Sequence, residues 1–153
     1  MKNNELIHKL AVKLSPYQVR IEIFCLSLVV LGLLLKSIEI GYIFTNISLS
    51  ILSMLYFIKA FVTELSENSL LVFLNKITQL SLSVGAIGIL FMIHHYPGFA
   101  IMLKASFFSL IASLTIKIIV KFKSREKESI LDPDIVRLLI MIVAIALILI
   151  SGE

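Results

Sequence analysis

One cysteine, Cys25, is all the chain contains, and it sits inside an apolar run. That excludes a disulfide framework and any cysteine-rich metal site, and leaves the thiol as a small packing or lipid-facing side chain. Stretches polar enough for a soluble domain are also missing. Of 153 residues 59% are hydrophobic, and the mean hydropathy of +1.03 lies far outside the range of chains whose surface meets water. The net charge is +4, but basic patches with interleaved aromatics are absent, so nucleic acid is not an expected partner. Catalytic signatures are missing as well: no Ser/His/Asp set, no H-E-x-x-H, no phosphate-cradling Gly-rich loop and no paired intramembrane aspartates. The expectation is a chain that is not an enzyme and carries no cofactor.

What fills the sequence instead is five apolar stretches, near residues 21 to 37, 42 to 62, 77 to 95, 99 to 120 and 135 to 150. A helix rising about 1.5 Å per residue needs roughly 20 residues to cross a hydrocarbon layer of about 30 Å. The runs lack the alternation of barrel strands, so helices are the remaining way to satisfy the backbone in lipid. The predicted fold is an all-α, polytopic integral membrane bundle of five transmembrane helices. Its parts are a cytoplasmic amphipathic interfacial helix over 1–19, a first hairpin over 20–63, a second over 69–121 and a fifth helix over 133–151. The fifth apolar run, Leu138 to Ile150, is short; the alternative is four crossings plus a membrane-surface helix. For five crossings the head of Arg137 has to snorkel to the inner interface.

Charge sets the predicted orientation. Lys2, Lys9, Lys13 and Arg20 precede the first span, Lys59 and Lys76 flank the second loop, and Lys117, Lys121, Lys123, Arg125, Lys127 and Arg137 flank the fourth. Only Lys36 and Lys104 fall on the opposite face. The positive-inside rule then places the N-terminus in the cytoplasm and the C-terminus outside a bacterial inner membrane. No A-x-A-like cleavage site follows the first apolar run, so that run is expected to stay on the mature protein. Leu6, Leu10 and Leu14 recur at helical spacing, which predicts the interfacial helix on the inner leaflet. Ser15 with Pro16, and Asp132 with Pro133, read as helix starts. The charged segment from Lys121 to Asp134 reads as a solvated loop.

A shift of 56 residues lays Ile21–Leu35 over Ile77–Phe91, with Ile21/Ile77, Leu26/Leu82, Ser27/Ser83, Gly32/Gly88 and Leu34/Leu90 coinciding. The pattern suggests two hairpins of the same orientation, unlike an inverted repeat. The second hairpin carries the string Gly88-Ile89-Leu90-Phe91-Met92-Ile93-His94-His95-Tyr96-Pro97-Gly98. This resembles the helix-to-turn segment of gliding-motility GldL-type membrane proteins, whose usual pattern is Gly-Ala-Leu-Phe-Lys-Ile-x-His-Trp-Pro-Gly. On that match His95 takes the motif histidine, Tyr96 the tryptophan, and Pro97 and Gly98 the turn. Leu34-Leu35-Lys36 and Glu39 give a degenerate echo in the first hairpin. The family is a proton-driven motor with a glutamate in the second helix of its hairpin. Ser109 to Ala112 and Leu52 to Leu55 hold no acid, so the resemblance implies a shared hairpin without the motor's carboxylate.

Ionisable residues inside a span are functional candidates because hydrocarbon penalises their charge. Lys36, Glu39, Lys59, Lys76, Lys104, Lys117 and Arg137 all read as span-end residues, and none is expected at mid-span. His94 and His95 are neighbours about 100° apart on a helix, a poor chelating pair, so they read as interfacial residues beside Tyr96. Asn46, Ser50 and Ser53 are spaced i, i+4, i+7 on the second span, and Ser106, Ser109 and Ser113 repeat the pattern on the fourth. With Ser81, Gly85 and Gly88 on the third, they form a small-residue seam that lets helices approach and hydrogen-bond. The expected role is that of a small structural or accessory subunit in the bilayer, packing against itself or other membrane subunits, with no identifiable small-molecule substrate. The alternative treats the serine stripes as a hydrated path for an ion or small solute.

Overall fold

The computed structural model describes residues 17–35, 39–61, 69–124 and 133–151. Over these it contains five helices: α1 (Gln18–Leu34), α2 (Glu39–Ala60), α3 (Ser69–Ile93), α4 (Phe99–Ser124) and α5 (Pro133–Ser151). Three segments, Glu39–Ala60, Val72–Ile93 and Phe99–Val120, are long and apolar enough to cross a membrane. With 17 residues α1 reaches about 26 Å, and with 19 residues α5 reaches about 28 Å. Large apolar side chains coat the outside: Ile23, Phe24, Met54, Phe73, Ile101, Phe108 and Ile150 are each 60% exposed or more. Such a coat is poorly suited to water and well suited to lipid.

Helices adjacent in sequence pack side by side, α1 on α2, α2 on α3 and α3 on α4, and α5 then lies on α4 and α3. One core runs through all of them, built from Cys25 of α1, Leu52 and Tyr56 of α2, Leu82 of α3, Leu103 and Leu110 of α4, and Leu138 and Ile145 of α5. Between α1 and α2 the approach is backbone to backbone. A Cβ added at Gly32 would collide with Thr45 Oγ1 and come within 2.7 Å of the Gly41 carbonyl, and one at Gly41 would lie 2.6 Å from the Gly32 carbonyl. Thr45 Oγ1 donates to the Gly41 carbonyl at 2.9 Å, so the hydroxyl beside this contact is satisfied within its own helix.

Several boundaries differ from those read in the sequence. The interfacial helix expected over 1–19, with Leu6, Leu10, Leu14, Ser15 and Pro16, lies outside the described residues except at its end, where Gln18 and Val19 belong to α1. Lys121 to Ser124, read as the start of a solvated loop, continue α4 instead. Lysine-rich sequence is compatible with a helix leaving the apolar layer, because long cationic side chains near a C-terminal end favour the helix dipole. Helix α5 starts at Pro133, the first helical position expected for it.

Gly32→Ala is expected to lower stability in detergent by about 1–3 kcal/mol, since neither backbone can retreat. Gly88→Ala, where the added Cβ meets the Leu103 side chain 2.9 Å away, should cost less because that side chain can rotate. Thermal unfolding of both variants in one detergent ranks them.

Candidate functional site

The clearest concentration of polar chemistry lies where α1, α4 and α5 come together near the ends of α1 and α5 that begin each helix. Because three helices, each reversing the direction of the chain, separate α1 from α5, these two run in the same direction, and residues a few positions into each stand at the same depth. Glu22 is only 7% exposed. Gln18 Nε2, one turn earlier on α1, donates to Glu22 Oε1 at 2.6 Å. Glu22 Oε2 accepts from Arg137 Nε at 2.9 Å and lies 2.8 Å from Arg137 Nη2. The third nitrogen of the guanidinium, Nη1, donates to Asp134 Oδ1 at 2.5 Å, and Lys117 of α4 lies 3.8 Å from Asp134 Oδ2. The result is a chain of charges, Glu22–Arg137–Asp134–Lys117, balanced in sign and crossing three helices.

This arrangement corrects two sequence expectations. Arg137 does not snorkel: its side chain is 11% exposed and both of its faces are taken by carboxylates. Nor does every ionisable group near a helix end reach outward, because Glu22, one turn into α1, is buried against Arg137. The physical reason is that an arginine fork matches a carboxylate with two parallel donors, which offsets its desolvation better than a long reach to the surface. Opposite charges a similar distance inside the first and fifth runs were the available signal. On the same side of the bundle, Val19, Ile23, Leu26, Leu52, Ile140 and Met141 join Glu22, Tyr56 and Arg137 around a groove of about 260 Å³.

The serine stripes converge on α3 from both sides. Ser53 of α2 meets Ser83 with Oγ atoms 3.0 Å apart. Ser81 donates its single hydroxyl proton to the Ile77 carbonyl at 2.8 Å, so Ser109 of α4 must be the donor in the 2.6 Å contact to Ser81 Oγ. Ser106 donates to the Ser81 carbonyl at 3.1 Å. Gly85 opens the space for this: a Cβ there would lie 2.7 Å from Ser106 Oγ and 2.9 Å from the Met141 methyl. Gly88 faces Leu103, and Ser113 is buried on α4. Ser50 departs from its stripe. It is exposed, on the rim of a groove of about 300 Å³ shared with Ser53, Met54, Phe57, Ser83 and Leu90 between α2 and α3. Ser48 Oγ and Gln79 Oε1 are buried with no hydrogen-bond partner among the described residues.

At the opposite end, the turn string caps α3. Tyr96 N donates to the Phe91 carbonyl at 2.9 Å and His95 N to the Met92 carbonyl at 3.0 Å. That pair of bonds closes a helix on a left-handed residue, here His95 with φ 54°, a place usually given to glycine. The accompanying apolar contact is present as well, Phe91 against Tyr96 at 5.4 Å, edge to face. His94 stacks on Tyr96 and donates from Nε2 to Asn46 Oδ1 at 2.8 Å, tying the turn to α2. Gly98, with φ 90°, follows Pro97, and its carbonyl accepts the bond from Met102 that opens α4. Beside this turn a cavity of about 430 Å³ is lined by Gly32, Leu33, Tyr42, Thr45, Met92, His95, Phe99 and Ile148 among others, so all five helices or their caps contribute. Among the described residues no three His, Cys, Asp or Glu side chains are grouped to hold a metal ion. Comparison with family models, curated proteins and solved structures gives no match to this chain.

Arg137→Ala should lower stability in detergent by about 3–5 kcal/mol, because it leaves the Glu22 carboxylate buried without its cation. The paired change Glu22→Met with Arg137→Met should cost far less, and chemical unfolding of the two proteins side by side makes the comparison. At the turn, His95→Val should cost about 1–2 kcal/mol and His95→Gly nothing, since only the β-branched residue opposes the left-handed backbone.

Proposed function

We propose that the chain is a multi-pass protein of the bacterial inner membrane that works as a non-catalytic structural or accessory subunit, through helix packing against itself or other membrane subunits. The observation that carries this reading is how the serine stripes are used. Ser53, Ser81, Ser83, Ser106 and Ser109 hold α2, α3 and α4 together by hydroxyl contacts, which suits stitching better than solvating a passing ion. Interhelical bonds of this type contribute on average about 0.6 kcal/mol each in a membrane protein, enough to set register. The proposed topology has five crossings, with the N-terminus cytoplasmic and the C-terminus outside. Burial of Leu138 and Ile145 of α5 in the common core supports a fifth crossing over a surface helix. The likeness of the His94 to Gly98 turn to the GldL-type hairpin belongs to the same reading: a part shared with a membrane machine, without the motor's acid.

Native mass spectrometry after gentle extraction from the source membrane tests the proposal. A complex containing further subunits or copies is the expected result, and a lone chain would count against it. Ser50→Leu should shrink that complex while leaving the melting temperature of the isolated chain within about 2 °C, because the residue is exposed and makes no buried contact.

A second reading, ion or small-solute transport, is favoured by the cavity of about 430 Å³ at one end of the bundle and by the buried Ser48 Oγ and Gln79 Oε1, which have no hydrogen-bond partner among the described residues. Purified protein in liposomes that carries no ion or polar solute across a voltage and pH gradient would remove it.

A further inference from the structure

Helix α1 is fastened very differently at its two ends. It packs on one side only, along α2, whereas α5 has two neighbours, chiefly α4 and over a smaller area α3. At the α1 end near the α2 start, Gly32 and Gly41 let two backbones approach closely, with the Thr45 hydroxyl against Gly32. Near its other end α1 reaches α5 through the Glu22–Arg137 bridge. Beside that bridge the α1–α5 seam is incompletely filled, leaving the groove of about 260 Å³ walled by Val19, Ile23, Leu26, Leu52, Ile140 and Met141. In lipid, apolar faces gain little from meeting each other rather than acyl chains, so a helix with one packed side depends on polar ties for its second contact. The bridge supplies such a tie, and Arg137 keeps a carboxylate partner in Asp134 when Glu22 leaves.

We propose that the Glu22–Arg137 bridge is a latch, and that α1 is a strap which pivots about the Gly32–Gly41 contact when the latch opens. Opening separates the Gln18 end of α1 from α5, admits water to the two charges and uncovers the groove. Helix α5 stays in place, because Leu138 and Ile145 are fully buried and Met141 and Ile145 pack over Gly85 of α3. This goes beyond the accessory-subunit reading and holds whichever partner the subunit has. The chain carries its own reporter. Cys25 lies three residues beyond Glu22 on α1, is 2% exposed, and belongs to the same core as Leu138 and Ile145. Thiols react with maleimides as thiolates, which requires water, so Cys25 reads the opening directly.

The experiment follows N-ethylmaleimide addition to the full-length protein in liposomes by intact-mass spectrometry. Glu22→Gln and Arg137→Gln should each raise the Cys25 labelling rate by about tenfold or more, as expected when a local opening becomes frequent. The exchanged pair, Glu22→Arg with Arg137→Glu, made in an Asp134→Asn chain so that position 134 does not repel the relocated carboxylate, should return it close to the wild-type rate. A second reporter separates the latch from general loosening: Ser113→Cys in a Cys25→Ser chain sits on α4, 2% exposed before substitution. Its labelling should be unaffected by Glu22→Gln. Unchanged Cys25 labelling in both single variants, failure of the exchanged pair to restore protection, or a parallel rise at position 113 would each overturn the proposal.

Discussion

A carboxylate in the first apolar helix and a guanidinium in the last are each costly to bury alone, and their meeting ties the two ends of the bundle together. Isolated, either ion would lose several kcal/mol of hydration on entering an apolar surround. Together they leave little unsatisfied: Glu22 has Gln18 on one oxygen and the Arg137 fork on the other, and the remaining side of that fork holds Asp134. A lysine at position 137 could not do this, because a point charge cannot address two carboxylates in fixed directions. The pair also depends on topology. It forms because α1 and α5 run the same way, which puts Glu22 and Arg137 at one depth, although the main packing of α5 is on α4.

The other polar groups obey the same constraint by shorter routes. Thr45, Thr78 and Ser81 return their hydroxyl protons to carbonyls four residues earlier in their own helices. Ser106 and Ser109 cross to α3 because Gly85 leaves room for the helices to come close. The two glycines that coincide in the internal comparison serve different contacts. Gly32 admits the backbone of α2, whereas Gly88 admits one leucine side chain of α4. The tighter junction is therefore in the hairpin whose first helix has fewer neighbours, which gives α1 a firm end and a conditional one.

The turn between α3 and α4 shows how a motif can look chemical and serve geometry. Two adjacent histidines draw the eye as ligands, yet their spacing on a helix reads as interfacial residues before a turn. In the structure His95 supplies a left-handed backbone, Tyr96 the apolar partner of Phe91, and His94 a hydrogen bond to Asn46. His94 nevertheless links the turn to α2, so the cavity bordered by His95 and Tyr42 has a braced wall.

Apolar run length by itself pointed to helices and to their order, because a backbone in an apolar medium has few ways to satisfy its own hydrogen bonds, but not to their ends: α3 begins at Ser69 and α4 continues to Ser124. The turn at Pro97 and Gly98 was equally legible, since those residues restrict the backbone locally. The serine and glycine periodicities placed polar and small faces on α2, α3 and α4, but not which serine would meet which: Ser53 found Ser83, and Ser50 was left on a rim. The association of Glu22 with Arg137 was decided only by tertiary structure. The two are 115 positions apart, and neither residue's local sequence records that four intervening connections bring α1 and α5 together at one depth. A charge inside an apolar run announces a cost, and only the packed bundle shows what offsets it.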